Sequence, residues 1–265
     1  MLDNVMAVRF DRRMGSGKTW PCLLSAQRTN GEEIELVAKF SAGCERRLGG
    51  LVAEAIAALL AADLDLPVPE PLLVEFDGEF VELIRARDPA VAERVAQSVP
   101  VAFGSSKLPP GFTVLPKDKA IPQAARAQAI EILAFDALIQ NPDRRVENPN
   151  CQFNGKDFAI FDHELAFVTK GIIGWQPPWR PGGLDWLKGP VRHVFYNELR
   201  GKAVDLTRFK GAWLALSDQR LHDYRQALPP AWTNDGGVAD EALGYIAQVR
   251  DNIDAALAEV GRILQ

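Results

Sequence analysis

Two carboxylates and an amide stand at a spacing that suits phosphoryl transfer. In Asn141-Pro142-Asp143-Arg144-Arg145-Val146-Glu147-Asn148-Pro149-Asn150, Asp143 and Asn148 form a D-x-x-x-x-N pair, and Asp162 ends the apolar run Phe158-Ala159-Ile160-Phe161. Such chemistry needs one carboxylate to accept or orient the proton of the attacking hydroxyl. It also needs an amide oxygen and a second carboxylate to hold the magnesium that neutralises the transferring group. An Asx-rich surface turn would use the same residue types. The long helical pattern leading into the loop and the apolar run delivering Asp162 favour a site on rigid supports.

Three further features fit the same chemistry. Lys39 ends the strand-like run Val37-Ala38-Lys39, where a lysine can pair with nucleotide phosphates or simply snorkel into water. Glu54, on the following helical pattern, is the candidate partner of Lys39. At about 100° per residue it lies roughly 140° from the middle of the apolar stripe, a position that suits either a cleft or solvent. Gly15-Ser16-Gly17 forms a turn whose backbone amides could lie over phosphates, or a tight turn with no ligand. It is not a P-loop, because Arg12 occupies the place of the first glycine and Trp20-Pro21 follow Thr19 where a helix would have to begin.

The elements that would position these residues can be read from periodicity. Val5–Phe10, Trp20–Ser25 and Ile34–Phe40 read as three antiparallel strands. Leu48, Leu51, Val52, Ala55, Ile56, Leu59 and Leu60 mark an amphipathic helix that Pro67 and Pro69 stop. Leu72–Phe76 and Phe80–Ile84 flank Asp77-Gly78 and predict a hairpin, giving a five-stranded antiparallel sheet with one inserted helix. A short helix around 90–97, a connector over 104–116 and a long helix over 123–140 follow. After Lys170 the chain reads as mostly helical, with helices at 206–216, 218–227 and 239–264. The loop 174–190 carries Trp175, Trp179 and Trp186, as a packed lid would.

Composition limits the alternatives. The 265 residues are 47% hydrophobic and 25% charged, which suits a globular chain with a full core and excludes disordered, collagen-like and coiled-coil classes. Thirty Lys+Arg against 35 Asp+Glu, a formal charge of -5, argues against nucleic acid as the main partner. Cys22, Cys44 and Cys151 form no C-x-x-C pair, and the three histidines are scattered, so neither a disulfide framework nor a zinc site is expected. The first residues carry no basic segment followed by an apolar one, and the most apolar stretch, 48–66, is interrupted by Glu54, Asp63 and Asp65. A cytoplasmic protein without a membrane span is the expectation.

Taken in order, glycine turn, strand lysine, helix glutamate, D-x-x-x-x-N and metal aspartate, the sequence resembles the protein-kinase-like superfamily, and within it the HipA-like kinases. The resemblance runs from about Phe10 to Phe167 and rests best on Val37-Ala38-Lys39-Phe40, Leu66-Pro67-Val68-Pro69-Glu70-Pro71, Phe135 to Arg145, and Asp162-His163-Glu164. It implies an α+β, bilobal fold, residues 1–105 forming a sheet lobe with one helix and 106–265 a helical lobe, with ATP in the cleft between them. Asp143 then matches the catalytic base, Asn148 and Asp162 the magnesium ligands, and Lys39, Glu54, Gly15, Ser16 and Gly17 the ATP-binding residues. The adenine hinge is placed near Val101–Ser105.

The pattern also departs from ordinary protein kinases, having no H-R-D, D-F-G or A-P-E. Its D-R-R loop resembles the D-R-H form of phosphoinositide kinases, with Arg145 in the place of the histidine. Arg144 and Arg145 could contact a phosphate, pair with nearby acids or cap the helix end as a solvated pair, and His163 reads as a packing or hydrogen-bonding residue. A kinase acting on Ser/Thr of a protein is the first reading. A small-molecule or lipid kinase is the second, and a pseudokinase or nucleotide-dependent interaction module the third.

Overall fold

The computed structural model describes residues 2–15, 19–116, 120–189 and 192–265. β1 (Asp3–Arg13), β2 (Cys22–Arg28) and β3 (Glu33–Lys39) form the expected meander, and α1 (Leu48–Asp63) follows. After β4 (Pro71–Glu75) the structure departs from the predicted hairpin: residues 78–85 form a helix, α2 (Gly78–Arg85), not a strand. Asp77 is its N-cap, its carboxylate accepting a hydrogen bond from the Phe80 amide at 2.9 Å. Phe80, Val81 and Ile84 are buried while Glu79, Glu82 and Leu83 face out. That is a helical period, and Asp-Gly serves as a cap here instead of a hairpin turn.

α3 (Pro89–Ala96) leads to β5 (Val101–Ser106), the true fifth strand, which lies between β3 and β4. The strands close into a barrel in the order β1-β2-β3-β5-β4, so the expected five-stranded antiparallel sheet is corrected in its pairing as well as in its fifth strand. The seam is a parallel pairing of Asp3–Met6 with Leu72–Glu75. β1 can serve both neighbours because it is long and its register shifts twice against β2, at Ala7/Arg9 and Phe10/Arg12, which bends it round the barrel. Gly104 admits the close packing inside, since a Cβ there would lie 2.7 Å from Val74 Cγ2. Val101–Ser105, the expected hinge, lies within β5 in the barrel wall.

β6 (Thr113–Val114) falls within the predicted connector and pairs with β7 (Cys151–Phe153), which pairs in turn with β8 (Phe158–Ile160). Between them runs α4 (Arg126–Leu138), almost wholly buried on its second half. α5 (Tyr196–Leu199), α6 (Thr207–Ala215), α7 (Asp218–Ala227), α8 (Val238–Asp251) and α9 (Ile253–Leu264) complete the chain. The predicted last helix is thus two, divided at Asn252, whose φ of -118° leaves the helical range while its side-chain amide donates back to the Gln248 carbonyl.

The apolar interior falls into two clusters. One fills the barrel and the underside of α2 and α3, with Phe10, Leu24, Leu36, Val74, Phe80 and Ile84. The larger joins α1 to the helices of the second half, through Leu51, Ile56, Leu133, Phe135, Trp213 and Ile246. α1 is buried from Gly49 to Ala61 because α8 covers the flank that the barrel does not. This explains why a single apolar stripe could not settle where Glu54 points.

Candidate active site

Glu54 points inward. It is 2% exposed, and its carboxylate accepts hydrogen bonds from Lys39 Nζ at 2.9 Å, the Asp162 amide at 3.0 Å and the His163 amide at 2.7 Å. Lys39, at the end of β3, also reaches Asp162 Oδ1 at 2.6 Å. One carboxylate on α1 therefore holds both the strand lysine and the backbone of the segment that presents Asp162. Burial alone would lower the Lys39 ammonium, but Asp162 and Glu54 override it and hold its pKa well above the ordinary lysine value. Burial would likewise raise Glu54, and Lys39 with His163 keeps its carboxyl well below the ordinary range.

Asp143 lies on the loop after α4, folded tightly by bonds from the Arg145 amide to the Asp143 and Asn148 carbonyls and from the Asn148 amide to the Arg145 carbonyl. Its Oδ2 accepts from the side-chain amides of Asn148 at 2.7 Å and Asn150 at 3.1 Å, and its Oδ1 from Arg145 at 2.9 Å. Burial raises the Asp143 carboxyl above its ordinary range; Arg145 opposes the shift and the charge of Asp162 adds to it. The charge of Asp162 thus reaches Asp143. Arg145 pairs with Asp143, one of the alternatives open for it in the sequence.

Arg144 also pairs with an acid, one of the alternatives open for it in the sequence, and reaches further. It is 1% exposed and donates to both oxygens of Asp136 on α4, to the Asn150 and Phe161 carbonyls and to His163 Nε2. Because a guanidinium has no acceptor, His163 Nε2 accepts in that bond. His193 Nε2 donates to Asp136 at 3.0 Å while its Nδ1 accepts from the Phe195 amide. Asp136, Asn150 and His193 were not among the predicted site residues. The buried Phe135-Asp136 within an apolar helix was the available signal for the first, since a carboxylate on a buried face needs a cation.

Burial drives the His193 imidazole below its ordinary pKa of 6.5, an effect the neighbouring Arg144 charge reinforces and Asp136 opposes. Above pH 6.5 folded and unfolded chains both carry it neutral. Below that value only the unfolded chain takes up the proton, so stability falls as pH drops from 6.5 towards the folded pKa. His193→Gln, which keeps a donor for Asp136, is expected to flatten the dependence of the urea midpoint on pH below 6.5 relative to the parent. Superimposable profiles would show that His193 is not held neutral.

Backbone geometry marks the same region. Gln140, Asn150, Asp162 and Phe167 all have positive φ, at 55°, 43°, 65° and 63°, conformations that cost energy for side-chain-bearing residues and recur at functional sites. Beside Pro142 opens a groove of about 770 Å³ lined also by Leu165, Val168, Ile172, Trp175 and Trp186. Trp175 is anchored there by its indole N–H on Gln140, and the loop's tryptophans pack on the core as a lid does. Gly15 is exposed, with no described residue within 4 Å of where its Cβ would lie, while Ser16 and Gly17 lie outside the described residues. Among the described residues no cluster of three His, Cys, Asp or Glu could hold a metal, and no helix is long and apolar enough to cross a membrane.

Comparison with known proteins bears on the family of the chain. A family model for HipA-like kinases matches residues 9–172, more than half of the chain. Among solved structures, a Helicobacter pylori proinflammatory kinase, CtkA, aligns over 100% of both chains at 12% identity with a TM-score of 0.49. No curated protein matches. With its family matched across the barrel, α1, the D-x-x-x-x-N loop and Asp162, the chain belongs to the HipA-like kinases.

Proposed function

We propose that this chain transfers the γ-phosphoryl group of ATP, with magnesium, to a hydroxyl acceptor, a Ser/Thr side chain of a protein. The observation that carries the reading is the buried Lys39 ammonium shared between Glu54 and Asp162, with Asp143 close enough to feel the Asp162 charge. In this reading the barrel with its helices (1–105) is one lobe, the rest (106–265) the other, and the nucleotide lies between them against Lys39 and the glycine turn.

The donor set suits magnesium. Asn148 spends its amide N–H on Asp143, which fixes its oxygen in the opposite direction with no protein donor on it among the described residues. Asp162 uses one oxygen on Lys39 and is partly open to solvent. One carboxylate and one amide oxygen fall short of an all-protein cage, as expected for an ion that completes its shell with water and substrate phosphates. Asn148 and Asp162 would hold it, and when bound it supplies charge neutralisation at the phosphates. Asp143, with three donors on its oxygens, keeps lone-pair capacity on Oδ1 to receive the acceptor hydroxyl proton. Pro142, the residue before Asp143, lines the groove described above, which would give an acceptor polypeptide a surface beside the loop.

The test is transfer from labelled ATP with magnesium to a mixed protein acceptor pool, read as phosphoserine and phosphothreonine, for the parent and Asp143→Asn. Loss of a general base is expected to slow transfer by about 10²–10⁴-fold, while magnesium-ATP still raises the melting temperature of the variant. Equal transfer by both proteins would remove Asp143 from the mechanism. Label appearing on hydroxylated metabolites or lipids and not on protein would replace the acceptor class.

A further inference from the structure

We infer that Arg144 is a positioning residue, a buried clamp that sets the catalytic loop against the Asp162 segment and that His193 completes from a distant part of the chain. The inference rests on the roles given above to Asp143 and Asp162. A guanidinium has five N–H donors, and all five of Arg144 are used: Nε and one Nη2 on Asp136, two Nη1 on the Asn150 and Phe161 carbonyls, and the second Nη2 on His163. These acceptors come from three places. Asp136 belongs to the rigid helix α4, Asn150 closes the loop that carries Asp143 and Asn148, and Phe161 and His163 flank Asp162 on both sides.

Arg144 itself directly follows Asp143. The side chain therefore ties the base on one side and the metal-side carboxylate on the other to a single planar group whose fork geometry is fixed. The Asp162 end of that tie continues into the lysine pair, since the His163 amide donates to Glu54, which holds Lys39. His193 supports the clamp twice. Its imidazole donates to Asp136 Oδ2, and its segment adds main-chain links to the loop, the Val194 amide donating to the Arg144 carbonyl at 3.0 Å and His193 bridging Arg145.

Nothing in this arrangement leaves Arg144 free for a phosphate. A lysine could keep its charge but offers three donors from one point, so it could not hold Asp136, the two carbonyls and His163 together. Because misplacing reacting groups by about 1 Å can cost on the order of 10²-fold in rate, loosening the clamp acts first on turnover, while Glu54 still holds Lys39 and the Asp162 backbone for the nucleotide.

The experiment compares kcat and the KM for magnesium-ATP in Arg144→Lys, His193→Leu and His193→Gln, assayed well below their melting temperatures. Arg144→Lys is expected to lower kcat by about 10²-fold with KM changed by less than about 3-fold. His193→Leu, which strips Asp136 Oδ2 of its second donor, is expected to lower kcat, and His193→Gln to restore most of the loss. A lower melting temperature with kcat intact would reduce Arg144 to a stability element and overturn the inference, as would a raised KM with unchanged kcat. Should Arg144→Lys fail to fold, the His193 pair decides: equal kcat in the leucine and glutamine variants overturns it. Failure of the kinase reading is separate, since it would appear as Asp143→Asn transferring phosphate as well as the parent.

Discussion

Asp162→Asn is expected to lower phosphoryl transfer by at least about 10³-fold, the upper range for loss of one electrostatic group aimed at developing charge, and to abolish the melting-temperature rise that magnesium-ATP gives the parent. Asparagine is the informative replacement because Asp162 sits at φ 65°, where asparagine is tolerated and alanine is strained. Stability without ligand should change little. Lys39 keeps Glu54 as a partner, and one negative charge leaves a volume in which Asp162 acts to raise both Asp143 and Glu164. The prediction thus separates two roles of one carboxylate. A variant that still gains stability from magnesium-ATP would show that the ion is held elsewhere, and one that melts far lower without ligand would make Asp162 chiefly structural.

How far the sequence alone led to this site depended on the range of the interactions. Lys39, Glu54, Asp143, Asn148 and Asp162 were each visible because strand ends, helix positions and loop spacings are local features, and the structure brings these five into one region. Glu54's direction was not legible, since α8, some 190 residues further on, decides that the outer flank of α1 is buried. Arg144 was visible as a charge but not as a clamp, because its partners Asp136, Phe161 and His163 meet only after α4 and β8 pack. The error at 78–85 has a different origin. Asp-Gly between two apolar runs is a hairpin signal and a helix cap alike, and only the spacing of Phe80, Val81 and Ile84 distinguishes them. Barrel closure, too, needs the register of β1 against β4, a long-range pairing with no local mark.

Glu54 is where the largest loss of stability is expected. Its carboxylate is the acceptor for one buried ammonium and two backbone amides, and at 2% exposure it is shielded from solvent. Glu54→Ala leaves Lys39 with only Asp162 and strands the Asp162 and His163 amides. Breaking a buried pair by removing one partner costs about 3–5 kcal/mol, which for a chain of this size corresponds to a melting-temperature drop of roughly 6–20 °C. Glu54→Gln keeps one oxygen for the amides but not the charge, so its loss should be smaller. The lysine identifies the cause: in Lys39→Met/Glu54→Gln the uncompensated charge is gone, and the two losses should fall short of adding. If the double variant instead melts at the additive temperature, Glu54 acts through the two backbone amides alone. In that case the ion pair at the centre of the site contributes to ligand binding without holding the barrel and the Asp162 segment together.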